Sequence, residues 1–392
     1  MGQEVENIKN TAPRVTWVEG LKGCAALVVV IFHLLSGIFP MVINGTGVAN
    51  NFNTTLRQIG SSPLNLFFDG NLSVAFFFLI SGYVISARYF ATGENKVKDT
   101  LIKRYFRLAP PILFSVFLTG ILMQMGLFFN QGASELTASP WLAQFYQFDF
   151  NFGQMLYEGF FGSLIFGQCT YNATLWTMLF EFWGVAYVLV LIILIDGKNI
   201  RQRAVIYFVL GLILYRTPFL AYLLGVMLND IRKSFPKSTA PVLVPAAILG
   251  LYLASYPAEM PADTLLLYKY ARSAAMHVGV TNVALFMHIV GGFLILFVLL
   301  YFQTGQKFFG MRTLTELGKI SYSLYVTAFV IQNSLFCYLF VRLAGSMGRG
   351  KAFLISTAVS LPVMLLVAAL CYNFIEKPGI KLANYVNKKI NQ

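Results

Sequence analysis

The stretch LWTMLFEFWGVAYVLVLIILI, residues 175–195, contains a single charged side chain, Glu181, in an otherwise uncharged and mostly apolar run. About 20 apolar residues are enough to cross roughly 30 Å of hydrocarbon as an α-helix. Runs of the same kind occur at 282–302 and 352–375. The composition agrees, because 57% of the residues are hydrophobic and only 11% are charged. The sequence therefore predicts an all-α integral membrane protein.

Over the whole chain, the hydropathy pattern predicts about ten transmembrane helices. They are expected near 23–43, 66–87, 108–130, 175–195, 204–216, 217–229, 240–256, 282–302, 320–341 and 352–375. The fifth and sixth are short and are divided only by Arg216-Thr217-Pro218, where Pro218 suits the first turn of a helix. We expect one membrane domain over 1–392, with a cytoplasmic N-terminal segment (1–22) that is not a cleaved signal peptide and a cytoplasmic tail (376–392).

The basic residues predict the orientation of the chain. Most of the 29 Lys and Arg fall in alternate connections, and placing these connections in the cytoplasm puts both termini inside. A net charge of +13 is then explained by loops that face anionic membrane lipid, and no nucleic acid partner is expected. The four cysteines are scattered without metal-ligand spacing, so we expect no metal site.

One histidine lies deep in the first predicted span. In ALVVVIFHLL, residues 26–35, His33 is the only side chain that exchanges protons at neutral pH. An ionisable group costs about 2.5–3.5 kcal/mol at the centre of a membrane helix, so its presence needs a reason. His33 is either a neutral imidazole hydrogen-bonded to a neighbouring helix or a general base that takes a proton from a hydroxyl group.

Basic residues cluster at the cytoplasmic rim below His33. Lys22 precedes His33 by eleven residues, which returns to within about 20° of the same helix face some 16 Å away. Arg104 and Arg107, in KRYFRLAPP, share a face if the third helix begins early, and Pro110-Pro111 would then mark a helix start or a kink. Two guanidinium groups suit the phosphates of a cytosolic coenzyme, although all three residues could instead anchor the topology.

Glu181 is the most deeply placed carboxylate of the predicted map. It lies about 9 Å from the outer end of its span and needs a partner there. It could orient an imidazole, bind sugar hydroxyl groups together with Trp176, or remain protonated as a structural hydrogen-bonding group. Asp69, near the outer end of the second span, is a weaker case of the same kind. His288 is interpreted as structural.

Six blocks of the sequence resemble membrane-bound acyltransferase family 3, in the same order. They are WVEGLKGCAALVVVIFH (17–33), VAFFFLISGYVIS (74–86), KRYFRLAPP (103–111), LWTMLFEFW (175–183), ISYSLYV (320–326) and YNFIEKPGIKL (372–382). The resemblance implies an O-acyltransferase that transfers acetyl groups to extracytoplasmic saccharides such as surface polysaccharide or lipopolysaccharide. It also implies a catalytic role for His33, an acyl-CoA-binding role for Arg104 and Arg107, and a functional role for Glu181.

The sequence differs from the family pattern at two positions near the first span. Lys22 stands where the family has an arginine, and an ammonium group cannot make the two parallel hydrogen bonds of a guanidinium. Glu19 stands where the family has an aspartate. We group Arg14 and Lys22 with the arginine pair as donor-binding candidates, and Glu19 with Asp69 and Trp176 as acceptor-binding candidates.

The sequence thus favours transfer of an acyl group, expected to be acetyl, from cytosolic acyl-CoA to a saccharide or lipid-linked glycan. His33 would be the base or would carry the acyl group transiently, together with Glu181 as a catalytic residue. The expected location is a bacterial inner membrane. An alternative is a proton-coupled transporter with His33 and Glu181 as a proton relay. A purely structural membrane protein would leave both residues unexplained.

Overall fold

The computed structural model describes residues 15–45, 51–94, 97–257 and 266–390. Within these ranges the regular secondary structure is helical, and no β-strand occurs. The prediction of an all-α protein is confirmed. Arg14, a predicted donor-binding residue, lies outside the described residues.

Four helices of the first half are long enough to cross a membrane, at Thr16–Ile38, Gly70–Thr92, Asp99–Gln124 and Ala173–Ile195. In order, the helices of this half are α1 (Thr16–Ile38), α2 (Pro40–Ile43), α3 (Asn51–Gly60), α4 (Gly70–Thr92), α5 (Val97–Gln124), α6 (Asn130–Thr137), α7 (Pro140–Ala143), α8 (Phe152–Tyr157) and α9 (Met178–Ile195). A π-helix, Glu158–Phe166, follows α8, and a 3-10 turn, Ala173–Thr177, leads into α9.

The second half contributes three further helices of spanning length, and π-helical turns occur in two of them. The elements are α10 (Ile200–Leu214), α11 (Phe219–Ser234), α12 (Ala240–Ala254), α13 (Leu266–His277), α14 (Val283–Tyr301), α15 (Gln303–Phe309), α16 (Arg312–Lys319), α17 (Ser321–Ile331), α18 (Cys337–Met347), α19 (Arg349–Cys371) and α20 (Lys377–Ile390). The π-helices Gln332–Phe336 and Tyr372–Glu376 join α17 to α18 and α19 to α20.

Seven helices of the described part are thus long and apolar enough to span a membrane, which makes the chain an integral membrane protein. The other three predicted spans correspond to α10, α11 and α12, which have 15, 16 and 15 residues. The break between α10 and α11 falls at Arg216-Thr217-Pro218, as expected. The predicted start of the third span at 108 was wrong, because α5 begins at Val97 and carries Pro110 and Pro111 in its interior.

Glycine allows close contact between α4 and α11 at the centre of the bundle. A methyl group added at Gly225 would overlap the carbonyl oxygen of Leu79 and lie 2.9 Å from the backbone nitrogen of Tyr83. Gly82 faces the backbone of Tyr222 in the same way. Small residues at such crossings let membrane helices approach closely enough to pack their backbones.

We expect Gly225→Ala to lower the thermal stability of the purified protein, because the atoms in its way belong to the backbone and cannot rotate aside. Overpacking of this kind typically costs about 1–3 kcal/mol. The control is Gly345→Ala, since an added methyl group at Gly345 meets nothing within 4 Å. Equal melting temperatures for the two variants in the same detergent would contradict the close crossing.

Candidate active site

A cavity with about 790 Å³ of empty space opens between five segments of the bundle. Its charged and hydroxyl-bearing lining comes from α1, α4, α5, the start of α9 and α17. The side chains concerned are Lys22, Ser81, Arg104, Arg107, Thr177, Glu181, Ser321, Tyr322 and Tyr325. The cavity therefore brings together Lys22, both arginines and Glu181. In the sequence, these residues belong to the first, third and fourth predicted spans or to the segments directly before them.

The two arginines share a face because α5 begins early enough to include both of them. Residues three apart lie on the same side of a helix, and this side faces the cavity. The sequence prediction that Arg104 and Arg107 project together is confirmed. Tyr322 holds this part of α5 against α17, since its hydroxyl group donates a 2.7 Å hydrogen bond to the carbonyl oxygen of Leu108.

Glu181 is the partner of Arg104. The two side chains form an ion pair, and the Ser81 hydroxyl lies 3.0 Å from Oε2 and 3.2 Å from Oε1 of the same carboxylate. The side chains of Arg104 and Glu181 are only 14% and 12% exposed. None of the partners considered for Glu181 from the sequence is the one observed, because the hydropathy pattern does not relate the depth of Glu181 to that of Arg104.

Trp176 does not join Glu181 in the cavity. Trp176 is 40% exposed, and its ring packs edge-on against Phe180, with 6.0 Å between ring centroids. It lies in the 3-10 turn before α9 and is not among the residues that line the cavity, whereas Glu181 is. The prediction that these two residues bind one sugar together is not supported by their placement.

Arg107 faces a second carboxylate, Glu376, which the sequence analysis did not single out. Its Nε atom lies 3.8 Å from Oε1 of Glu376, and Ser323 donates a 2.8 Å hydrogen bond to Oε2. Glu376 is almost fully buried, whereas the Arg107 side chain is 42% exposed. The available signal was an acidic residue at the end of an apolar run in YNFIEKPGIKL, which we interpreted as the border of the tail.

Glu19 forms an ion pair with Lys22, with 2.9 Å between Nζ and Oε2. The two are one turn apart on α1, so Glu19 lies beside a cavity cation. This is the end of the protein that the sequence assigns to the cytoplasm. The expectation that Glu19 binds an extracytoplasmic acceptor is therefore not supported by its position.

His33 lies on α1 beyond the cavity lining, among aromatic rings. Its imidazole stacks on Trp141 with 5.7 Å between centroids and 22° between planes, and it meets the Phe329 ring edge-on at 5.4 Å. It makes no side-chain hydrogen bond within the described ranges, so the neutral imidazole bonded to a neighbouring helix is not observed. Instead, the backbone oxygen of His33 accepts a 2.8 Å hydrogen bond from Gln332 Nε2.

One helix connects the surroundings of His33 to the cavity. Tyr325 lines the cavity, and Phe329, one turn later on α17, contacts His33. The Tyr325 hydroxyl is held near Thr177 and the carbonyl oxygen of Thr174, at 2.9 and 3.0 Å. The π-helix that includes Gln332 follows directly, and such turns are frequent at functional sites. The cavity wall at Tyr325 is thus one helical turn along α17 from the residue that contacts the His33 imidazole.

Trp141 reaches His33 because short helices fold over the end of α1. Thr137 and Ser139 donate 3.2 Å hydrogen bonds to the carbonyl oxygens of Gly37 and Ser36. Asn130 donates to the carbonyl oxygen of Leu142, which fixes α7 against α6. Trp141 was not predicted from the sequence, because a connection between two spans has no periodicity that indicates its contacts.

Asp69 has a structural position. It is the N-cap of α4, where its side chain accepts a 3.0 Å hydrogen bond from the backbone nitrogen of Leu72. His288 Nε2 lies 3.5 Å from the same carboxylate and 2.7 Å from the carbonyl oxygen of Tyr256. Asp69 does not line the cavity, and the interpretation of His288 as structural agrees with its full burial.

These features define an α-helical membrane protein with a polar, cation-bearing cavity next to an aromatic-enclosed histidine. Comparison with known families identifies the class, since residues 15–373 match the acyltransferase domain of acyltransferase family 3. The chain belongs to this family, and acyl transfer is its activity in general terms. No curated protein and no solved structure matches the chain.

Proposed function

We propose that the protein transfers an acyl group, acetyl in the simplest case, from cytosolic acyl-CoA to a hydroxyl group of an extracytoplasmic saccharide or lipid-linked glycan. Its location would be a bacterial inner membrane. The observation that carries this proposal is the relation between Lys22 and His33. Lys22 lines the cavity beside two arginines, and His33 continues the same face of α1 about 16 Å further on.

The donor phosphates would lie at the cationic end of the cavity. Arg107 is the more exposed of the two arginines, and its neighbour Glu376 is too far away, at 3.8 Å, for a short hydrogen bond. Arg104 is already engaged by Glu181, so it supports the cavity wall and holds the carboxylate in place. An elongated donor with its phosphates near Arg107 and Lys22 would direct its thioester along α1 toward His33.

His33 would act on the acceptor. As a general base it accepts the hydroxyl proton while the acceptor oxygen bonds to the acyl carbon. The carbon–sulfur bond then breaks, and the sulfur leaves as thiolate and takes up a proton. In the covalent alternative, a ring nitrogen first forms the bond to the acyl carbon while the carbon–sulfur bond breaks and the thiolate leaves with the ring proton. The acceptor oxygen later displaces the ring nitrogen, which takes up the hydroxyl proton. The aromatic rings around His33 would limit the access of water, which would otherwise compete as acceptor.

The test of the proposed function is mass spectrometry of surface glycans from cells with and without the gene. We expect glycan masses that differ by whole acyl groups, restored when the gene is returned. Purified membranes should transfer label from labelled acetyl-CoA to the same glycan fraction. Identical glycan profiles in the two strains would overturn the proposal.

Replacing Arg107 with lysine should raise the apparent KM for acetyl-CoA, because the charge is kept but the paired hydrogen bonds to phosphate are lost. A residue that only anchors topology would tolerate the change, since the positive-inside rule counts Lys and Arg alike. Initial rates over a range of acetyl-CoA concentrations measure the effect. Arg88→Lys is a matched control, because Arg88 does not line the cavity. An unchanged KM in Arg107→Lys would assign Arg107 to anchoring.

A further inference from the structure

A second concave site lies on the opposite side of α11 from the cavity. Helices α10 and α11 enclose a groove with about 1150 Å³ of empty space and a lining that is almost wholly apolar. Large side chains on both helices contribute to it, among them Phe208, Leu212, Leu224 and Met227. The groove and the cavity have no lining residue in common, because α11 packs its other face against α4. It is therefore a separate site.

The groove has the length of one membrane leaflet. Along α10 its lining runs from Ile200 to Leu212, which is twelve residue steps or about 18 Å of helix. Half of a hydrocarbon core roughly 30 Å thick is about 15 Å. A hydrocarbon chain that starts at the beginning of α10 would therefore reach about the middle of the bilayer.

The groove is polar only at the end where α10 begins and α11 ends. There Arg203 holds Asp230 with two hydrogen bonds of 2.7 and 2.8 Å, and Tyr207 donates to the same carboxylate at 3.0 Å. The paired charges of Arg203 and Asp230 cancel, and their hydrogen bonds are satisfied. This cluster closes the end of the groove without adding net charge.

Two further cations border this end and are not engaged by the protein. Arg201 and Lys233 are exposed, and neither forms an ion pair or a side-chain hydrogen bond within the described part of the chain. Arg201 stands three and seven residues before Ala204 and Phe208, so it lies on the face of α10 that lines the groove. Lys233 stands one turn after Asp230 on α11. The mouth of the groove thus carries net positive charge.

The end with Arg201 and Lys233 is also the end with Lys22. Trp17, near the start of α1, packs against Tyr83 with 6.4 Å between ring centroids. The side chain of Asn229, near the end of α11, donates to the backbone oxygen of Tyr83. The mouth of the groove therefore lies on the side of the membrane that the positive-inside rule assigns to the cytoplasm, where anionic lipids are concentrated.

We propose that the groove between α10 and α11 binds one anionic glycerophospholipid of the cytoplasmic leaflet. An acyl chain lies against Phe208, Leu212, Leu224 and Met227, and the phosphate-bearing headgroup meets Arg201 and Lys233. The occupant has to be both amphipathic and anionic, because the site joins an apolar trough of leaflet length to two unpaired cations. The proposal is independent of the acyl-transfer reaction.

The test measures lipid binding to the whole purified protein after removal of native lipid. Phosphatidylglycerol, phosphatidylcholine and glycerol phosphate are added separately, and retained lipid is measured by native mass spectrometry together with the melting temperature. We expect phosphatidylglycerol to be retained and to stabilise the protein. Equal retention of phosphatidylcholine, or an equal effect of glycerol phosphate, would overturn the proposal.

Two pairs of variants locate the site. Arg201→Ala combined with Lys233→Ala should weaken phosphatidylglycerol binding roughly 30-fold, because each basic residue near a membrane surface contributes about a factor of five. The control replaces the exposed Arg349 and Lys351 with alanine and should bind as wild type. Wild-type affinity in the first variant, or an equal loss in the control, would show that the groove mouth is not the binding site.

The second pair fills the groove. Gly211→Phe should displace the acyl chain, because an added Cβ at Gly211 has only Leu223 nearby, at 3.9 Å, and the larger side chain can extend into the groove. Gly345→Phe places the same residue on an open helix surface away from the groove. Normal phosphatidylglycerol binding in Gly211→Phe would overturn the assignment, whereas loss of binding in this variant alone would support it.

Discussion

Replacing His33 with alanine is expected to lower the rate of acyl transfer by about 100- to 10,000-fold, the usual contribution of a positioned general base. The protein should still insert and fold, because the His33 imidazole makes no hydrogen bond with the described residues and its loss leaves no buried partner unpaired. Transfer of labelled acetyl groups into the glycan fraction measures the effect, with protein abundance determined in the same membranes.

His277→Ala is the matched control for this substitution. His277 is exposed at the end of α13, and its Nδ1 atom lies 2.8 Å from the backbone oxygen of Ser273. A His33→Ala protein that retains full transfer at normal abundance would refute both the general-base and the acyl-carrier roles. The same assay separates those roles, because only an acyl carrier would leave label covalently attached to His33 when acceptor is withheld.

Removing Arg104 is expected to have the largest effect on stability. In Arg104→Ala the Glu181 carboxylate loses its ion-pair partner while its side chain stays largely buried. Breaking a buried pair from one side typically costs about 3–5 kcal/mol, because the remaining charge must be buried alone or become protonated. The melting temperature and the yield of folded protein should both fall sharply.

The compensating variant is Arg104→Ala combined with Glu181→Gln, which removes both charges. We expect much of the lost stability to return, since the amide still accepts a hydrogen bond from Ser81 without requiring a counter-charge. Transfer activity should remain low, because the cavity wall has lost a cation. If the double variant is as unstable as Arg104→Ala alone, the coupling between the two residues is absent.

Three carboxylates lower the net positive charge that the cavity offers to the phosphates of a donor. Glu181, Glu376 and Glu19 stand beside Arg104, Arg107 and Lys22, so the cavity is less positive than its three basic residues suggest. Arg107 remains the most exposed of these cations. The kinetic effect of Arg107→Lys should therefore exceed that of Arg104→Lys on the KM for acetyl-CoA, although Arg104 contributes more to folding.

The amino-acid sequence is sufficient to predict that the protein is helical and lies in a membrane. Long apolar runs need only their own backbone to satisfy their hydrogen bonds in lipid, so hydropathy is enough to find most of the spans. The sequence also predicts correctly which residues of one helix share a face. Arg104 and Arg107 share a face, and Lys22 lies on the His33 face of α1, because rise and rotation per residue are the same in every α-helix.

The contacts between residues on different helices could not be predicted and required the three-dimensional structure. Glu181 pairs with a residue 77 positions away, Glu376 meets Arg107, and Trp141 covers His33. Such contacts depend on the relative depth and crossing of helices, which are set by close packing at points such as Gly225 and by hydrogen bonds such as those of Thr137 and Ser139. Helical periodicity describes each segment along its own axis and holds no information about the offset between two axes.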